Sequence, residues 1–270
     1  MLTLTLDTVV NGEYLCRLID TQNPNLLLVD TRPFSDYNKG HIPHAINIDL
    51  MDFHWFDTSE EGIVQFNRQM KILLNYLGVN PQSIVVFYDG ISGSSASRGI
   101  WLLKYFSHED AYILDGGFEN WLKSNYPVET STNPFISSES VFNVNKNVLA
   151  DAEYVKNKIE KNANDVVIID CRSKMEYDGL VVRASRRGHI PHAINIDWIN
   201  NLENEKFKDH EKLSQLYSFI PMDKEVITYC QGGYRAANTY LILKKLGYSN
   251  VKMYLGSWGE WGNIASLPIE

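Results

Sequence analysis

Cysteine is scarce in this chain of 270 residues: there are three, Cys16, Cys171 and Cys230, far apart and odd in number. That excludes a disulfide framework and makes a reducing cytoplasm the expected compartment. No run of roughly 18 or more apolar residues occurs, so no membrane span and no membrane partner are expected. The opening MLTLTLDTVVNGEYL lacks a basic stretch ahead of a long apolar one, and no secretory signal is read there. Positive charge is in deficit too, 25 Lys and Arg against 33 Asp and Glu for a net charge of −8. This disfavours a nucleic-acid surface. A small anionic substrate stays open, because its site needs only local positive potential. With 44% apolar and 21% charged residues the chain is otherwise an ordinary globular one.

What the chain does have is a repeat. The ten residues GHIPHAINID stand at 40–49 and again at 188–197, letter for letter. Identity over such a length marks an internal duplication and fixes the domain count at two. The reading divides the chain into a first domain, 1–130, a linker, 131–145, and a second domain, 146–270. Residues 124–140 carry two prolines and many Ser and Thr, as a linker would.

The halves run in parallel. Each opens on a helix, with Asp7 and Asp151 as N-caps. LLLVDTR and VVIIDCR follow, apolar runs ending in Asp-x-Arg that read as buried parallel strands. After GHIPHAINID come a helix, a second apolar run (VVFYD or VITYC), a small-residue loop, another helix, and a last strand with an aromatic turn ending at Trp121 or Trp261. Such alternation implies an α/β fold with a parallel sheet and helices on both faces.

One difference between the copies carries chemistry. VVFYD ends on Asp89 and VITYC on Cys230. Active groups in open α/β sheets gather beyond the carboxyl ends of the strands. Cys230 stands at such an end, followed by Gln231, Gly232, Gly233, Tyr234 and Arg235 and a helix expected from about Ala236. Paired glycines let the loop curl with its amides inward. Inward amides and a helix N-terminus form an anion nest, suited to a reactive thiolate. Arg235 adds a fixed positive charge.

These features together resemble a tandem-domain rhodanese, a sulfurtransferase. The resemblance covers nearly the whole chain: two Asp-x-Arg strands, two GHIP motifs and one Cys-x-x-Gly-x-Arg loop at Cys230, Gly233 and Arg235. It implies two rhodanese-like domains, each a five-stranded parallel sheet flanked by helices. The first would be catalytically silent, with Asp89 at the cysteine position. In the second, Cys230 would take a sulfane sulfur as a persulfide held by the amides of Gln231 through Arg235. Cyanide or a thiol, which can be a protein thiol, would then accept it, with no cofactor and no metal.

The donor expected is thiosulfate. Relatives acting on 3-mercaptopyruvate typically have a Cys-Gly-Ser-Gly-Val-Thr loop and two arginines upstream of GHIP, and the first of those positions here falls on Glu176. 3-Mercaptopyruvate sulfurtransferase and a persulfide carrier serving a protein partner stand as the alternatives. Rhodanese-fold phosphatases have a longer loop, Cys-x5-Arg, than the four residues between Cys230 and Arg235.

Other residues were assigned by position. Arg183, Arg186 and Arg187 form a basic cluster before Gly188, read as a rim binding the anionic donor, with Arg235 able to grip it directly. Trp198 and Trp258 are candidates for a site wall. Asp170 and Arg172 read as structural support, since the silent copy repeats them as Asp30 and Arg32. The His-x-x-His spacings at His41/His44 and His189/His192 span a proline and read as turns, not metal sites. Cys16 reads as core and Cys171 as a buried inert thiol. His192 stands where the family's GHIPGA has glycine.

Overall fold

A computed structural model describes residues 8–161 and 165–270. In the N-terminal half the elements are β1 (Val9–Val10), α1 (Gly12–Asp20), β2 (Leu26–Asp30), α2 (Phe34–Tyr37), β3 (Ile46–Asn47), α3 (Glu60–Tyr76), β4 (Ile84–Tyr88), α4 (Ser94–Tyr105), β5 (Ala111–Leu114) and α5 (Gly117–Lys123). The C-terminal half runs β6 (Leu149–Ala150), α6 (Ala152–Lys161), β7 (Val166–Asp170), α7 (Lys174–Tyr177), β8 (Ile194–Asn195), a short pair β9 (Leu202–Glu203) and β10 (Lys206–Phe207), α8 (His210–Tyr217), β11 (Glu225–Tyr229), α9 (Tyr234–Lys245), β12 (Val251–Tyr254) and α10 (Ser257–Trp261). Each half builds one five-stranded sheet, ordered β1-β5-β4-β2-β3 and β6-β12-β11-β7-β8, with parallel pairings throughout. The apolar runs form the central strands because they are covered on both faces.

Register sets up the site. Glu225 pairs with Val166 and Tyr229 with Asp170, so β11 and β7 end side by side and Cys230 is the next residue out. The first sheet does the same with Tyr88, Asp30 and Asp89. Both Asp-x-Arg motifs fold as buried ion pairs. Arg172 binds both carboxylate oxygens of Asp170 and reaches the Gly188 carbonyl at 2.8 Å, while the Tyr229 hydroxyl donates to Asp170 at 2.7 Å. Arg32 repeats this with Asp30 and Gly40. A buried carboxylate tied this way pins the strand end to the GHIP turn.

The compact units do not coincide with the halves of the chain. One is made of residues up to Phe53 with Gln69–Val144 and Glu203–Phe207; the other of His54–Arg68, Asn145–Leu202 and Lys208–Glu270. Residues 131–144, read as a linker, thus belong to the first unit. They are held by hydrogen bonds that composition does not reveal: the Asn133 amide to the Tyr37 hydroxyl, its side chain to the Ala45 carbonyl, and Ser138 and Ser140 to Asn75.

Local details differ from expectation in three places. The Asp7 cap lies outside the described residues; α1 is capped by Asn11, whose side chain accepts from Tyr14 N–H. The two aromatic turns are short helices, α5 and α10. Helix α9 begins at Tyr234, because Gly233 in the left-handed region (φ +87°) ends the loop early.

The GHIPHA turns explain the family's preferred glycine. His44 and His192 both take left-handed backbone angles, φ +67° and +63°. A side chain there costs roughly 1–2 kcal/mol. His192→Gly is therefore expected to stabilise the protein by about 0.5–1 kcal/mol, the larger unfolded-state freedom of glycine offsetting part of the gain. Urea unfolding checks this. An unchanged or lower midpoint would mean the exposed imidazole contributes something the turn geometry does not display.

Candidate functional site

Cys230 is nearly inaccessible at 2% exposure, and its backbone is held on both sides, by a side chain and by a backbone amide. Its N–H donates to Ser257 Oγ at 3.2 Å, and that hydroxyl donates on to the Tyr254 carbonyl. Its carbonyl accepts from Trp258 N–H at 2.9 Å, while Gln231 O accepts from Gly259 N–H at 2.8 Å. Helix α10 is thus laced to the loop by its first turn. The sulfur faces inward and accepts from Gly233 N–H at 3.1 Å, immediately before α9. The thiol thus has an amide at the sulfur and a twelve-residue helix starting behind it.

The first unit shows what such a loop accepts. There the strand-end residue is Asp89, whose carboxylate takes the amides of Gly93, Ser95 and Ala96 at 3.0 to 3.2 Å. Burial pushes its carboxyl up to about 6 against the pull of those amides. This nest carries its own anion in place of a thiol.

Arg235 is engaged rather than free. Its guanidinium forms a two-pronged pair with Glu176, at 2.6 and 2.9 Å. Burial would raise Glu176, but the hydrogen bonds and charge of Arg235, with Ser173 adding to them, outweigh it and hold the carboxyl at about 2. The reading of Arg235 as a direct grip on the donor is corrected accordingly: its fork is occupied by a carboxylate, and it braces the far end of the loop.

The basic cluster is split by the fold. Arg186 turns away from the loop and donates to the carbonyls of Trp261, Gly262, Ile264, Ala265 and Leu267, so its assignment to the donor is also corrected. Those carbonyls need a donor, and a guanidinium supplies five N–H groups in one plane. Arg183 is exposed, with Nε 3.4 Å from Glu176 and its carbonyl accepting from the Gln231 side chain. Arg187 is exposed.

Neither tryptophan is assigned to a wall by its contacts. The Trp258 side chain is buried in the core with the Arg172 guanidinium 4.6 Å from its ring, which corrects its assignment. Trp198 is half-buried and donates its backbone N–H to the Cys171 carbonyl. Cys171 is fully buried, and burial pushes its thiol well up.

The wall comes instead from residues that sequence reasoning passed over. His54 and Phe56, in the stretch that joins the second unit, lie against the loop. The His54 ring stands 4.7 Å from that of Tyr234 and 5.5 Å from that of Phe56. A methyl group on Gly232 would come within 2.6 Å of His54. The available signal was divergence: after the identical decapeptides the copies stop resembling each other, LMDFHWFDTSEEG against WINNLENEKFKDH.

Comparison with known proteins agrees with this architecture. The model of the rhodanese-like domain matches residues 12–124 and 151–264. A thiosulfate sulfurtransferase of Pseudomonas aeruginosa is 33% identical over 92% of each chain. The sulfur carrier protein TtuD of Thermus thermophilus is 32% identical over 86% of each. The crystal structure of SseA, a 3-mercaptopyruvate sulfotransferase from Escherichia coli, superimposes with a TM-score of 0.80 at 26% identity, covering 94% of this chain and 99% of that one. With two domain matches placed on two copies of one parallel sheet, the chain belongs to the rhodanese family.

Proposed function

We propose that the protein is a sulfurtransferase that moves the sulfane sulfur of thiosulfate through a Cys230 persulfide. The observation that carries the reading is the sulfur of Cys230 held by Gly233 N–H at the mouth of α9, where the silent unit seats a carboxylate. The Cys230 thiolate attacks the outer sulfur of thiosulfate. A new S–S bond forms as the old one breaks, and sulfite leaves with the electron pair. The persulfide anion then occupies the nest. A nucleophile, cyanide or a thiol, attacks its outer sulfur, and Cys230 thiolate leaves with the electrons of the S–S bond. This is covalent catalysis in two displacements, and the amides act on charge already present on sulfur.

Thiosulfate is favoured by the acidic residue at Glu176 and its pairing with Arg235, and by the name of the Pseudomonas relative. The tight Arg235–Glu176 pair also speaks against a phosphatase, whose arginine must be free to fold over a phosphate. A second reading, a persulfide carrier that hands sulfur to a protein, draws on the TtuD relative.

The test is kcat/KM for thiosulfate and for 3-mercaptopyruvate, with cyanide as common acceptor. A preference for thiosulfate of roughly a hundredfold is expected, the effect of about 3 kcal/mol in transition-state binding. The reverse preference would keep the persulfide and replace the donor. Slow turnover with both, but a stable persulfide discharged by a protein thiol, would favour the carrier.

A further inference from the structure

Glu260 sits inside α10, only 6% exposed, in a sequence of buried aromatic and small residues. A carboxylate so buried needs donors. Its oxygens take three neutral ones: Thr58 N–H at 2.6 Å, the Thr58 hydroxyl at 2.6 Å and the Tyr254 hydroxyl at 2.8 Å. The Thr58 oxygen also accepts from Ala152 N–H at 2.9 Å, so the hydroxyl's own proton is directed to Glu260. The balance of donors and acceptors closes only with an acceptor at position 260.

What Thr58 anchors is the stretch carrying His54 and Phe56. The Phe56 ring lies against Gly259 and Gly232 so closely that a methyl group on Gly259 would run into it. Gly259 N–H in turn holds the Gln231 carbonyl. A chain of contact thus runs from Glu260 through Thr58 to Phe56 and His54, and from there onto Gly232 and Tyr234 of the cysteine loop.

We propose that Glu260 is a positioning residue: it latches residues 54–58 as a roof over the Cys230 loop, keeping the sulfur covered and the loop amides aimed at it. The latch rests on the reading of Cys230 as the sulfur-carrying residue, but the cover it provides can be measured without any sulfur transfer.

The experiment is the rate of iodoacetamide alkylation at each cysteine, resolved by peptide mass spectrometry, in the wild type, Glu260→Ala, Glu260→Gln and Thr58→Val. Cys171 is the internal control, because it is fully buried at the end of the neighbouring strand and reacts only when the fold opens. Loss of hydrogen bonds to a buried carboxylate is expected to speed alkylation of Cys230 by roughly tenfold to a hundredfold in Glu260→Ala, with Cys171 unchanged. Glu260→Gln keeps the shape and one acceptor and should fall between. Thr58→Val removes one hydroxyl at nearly constant volume and carries the test if Glu260→Ala does not fold. The same variants should lose roughly tenfold in kcat/KM for thiosulfate. Equal alkylation of Cys230 in the wild type and every folded variant, or a parallel rise at Cys230 and Cys171, would overturn the latch. Sulfur transfer surviving in Cys230→Ser would instead overturn the site and leave the alkylation result standing.

Discussion

Cys230→Ser is expected to abolish persulfide formation, with sulfur transfer reduced by roughly a thousandfold or more, the scale seen when a covalent nucleophile is removed. The fold should survive. Serine is smaller than cysteine by little, it remains buried, and its hydroxyl can still accept from Gly233 N–H, the bond the sulfur now accepts. The check has two parts. Intact mass after incubation with thiosulfate should gain one sulfur in the wild type and none in the variant, and thermal unfolding should be nearly unchanged. Mass gain in the variant would place the sulfur on another cysteine. Cys16, half-exposed on α1, and Cys171, buried just after β7, would then have to be weighed by their own substitutions.

The second large effect lies at Glu176. Replacing it with Gln leaves the Arg235 guanidinium, 21% exposed, beside a neutral amide. Removing one partner of such a pair costs about 3–5 kcal/mol. The loss should depend on pH in a defined direction. Glu176 is held at about 2 in the fold, below its ordinary 4.5, so folding favours its ionised form. The stabilisation is complete above the unfolded value and fades as pH falls from about 4.5 toward 2, amounting to about 3 kcal/mol when whole. Denaturant unfolding of both proteins at pH 7 and pH 3 should show the gap between them narrowing on acidification. A gap of the same size at both pH values would mean the charge of Glu176 does nothing and its shape alone is used. Activity should fall with the pair as well, since Arg235 no longer braces the end of the loop.

These residues differ in how far the linear pattern discloses them. Cys230 and its loop were readable because everything that defines them is local: a strand-end position, two glycines, a helix start. The two Asp-x-Arg pairs were readable because the duplication shows them twice. Arg183, Arg186 and Arg187, by contrast, look alike in sequence and part company in the fold. Which one is free depends on where unpaired carbonyls lie, and the segment from Trp261 to Leu267 claims Arg186. Trp258 failed as a wall residue for a similar reason, since only the register of α10 decides that its ring faces Arg172. The segment of His54 and Phe56 is tied to Glu260 through one hydrogen-bonded threonine far along the chain, a pairing that no periodicity encodes.

The exchanged segments have a consequence for how the gene can change. Residues 54–68 are written in the half that carries Asp89 but built into the unit that carries Cys230, and residues 203–207 are written in the other half and built into the first. A deletion that discarded the first half would discard a segment of the unit that carries Cys230. The half that carries Asp89 thus supplies a part of the unit that carries Cys230, and a change on either side of the duplication can reach that unit.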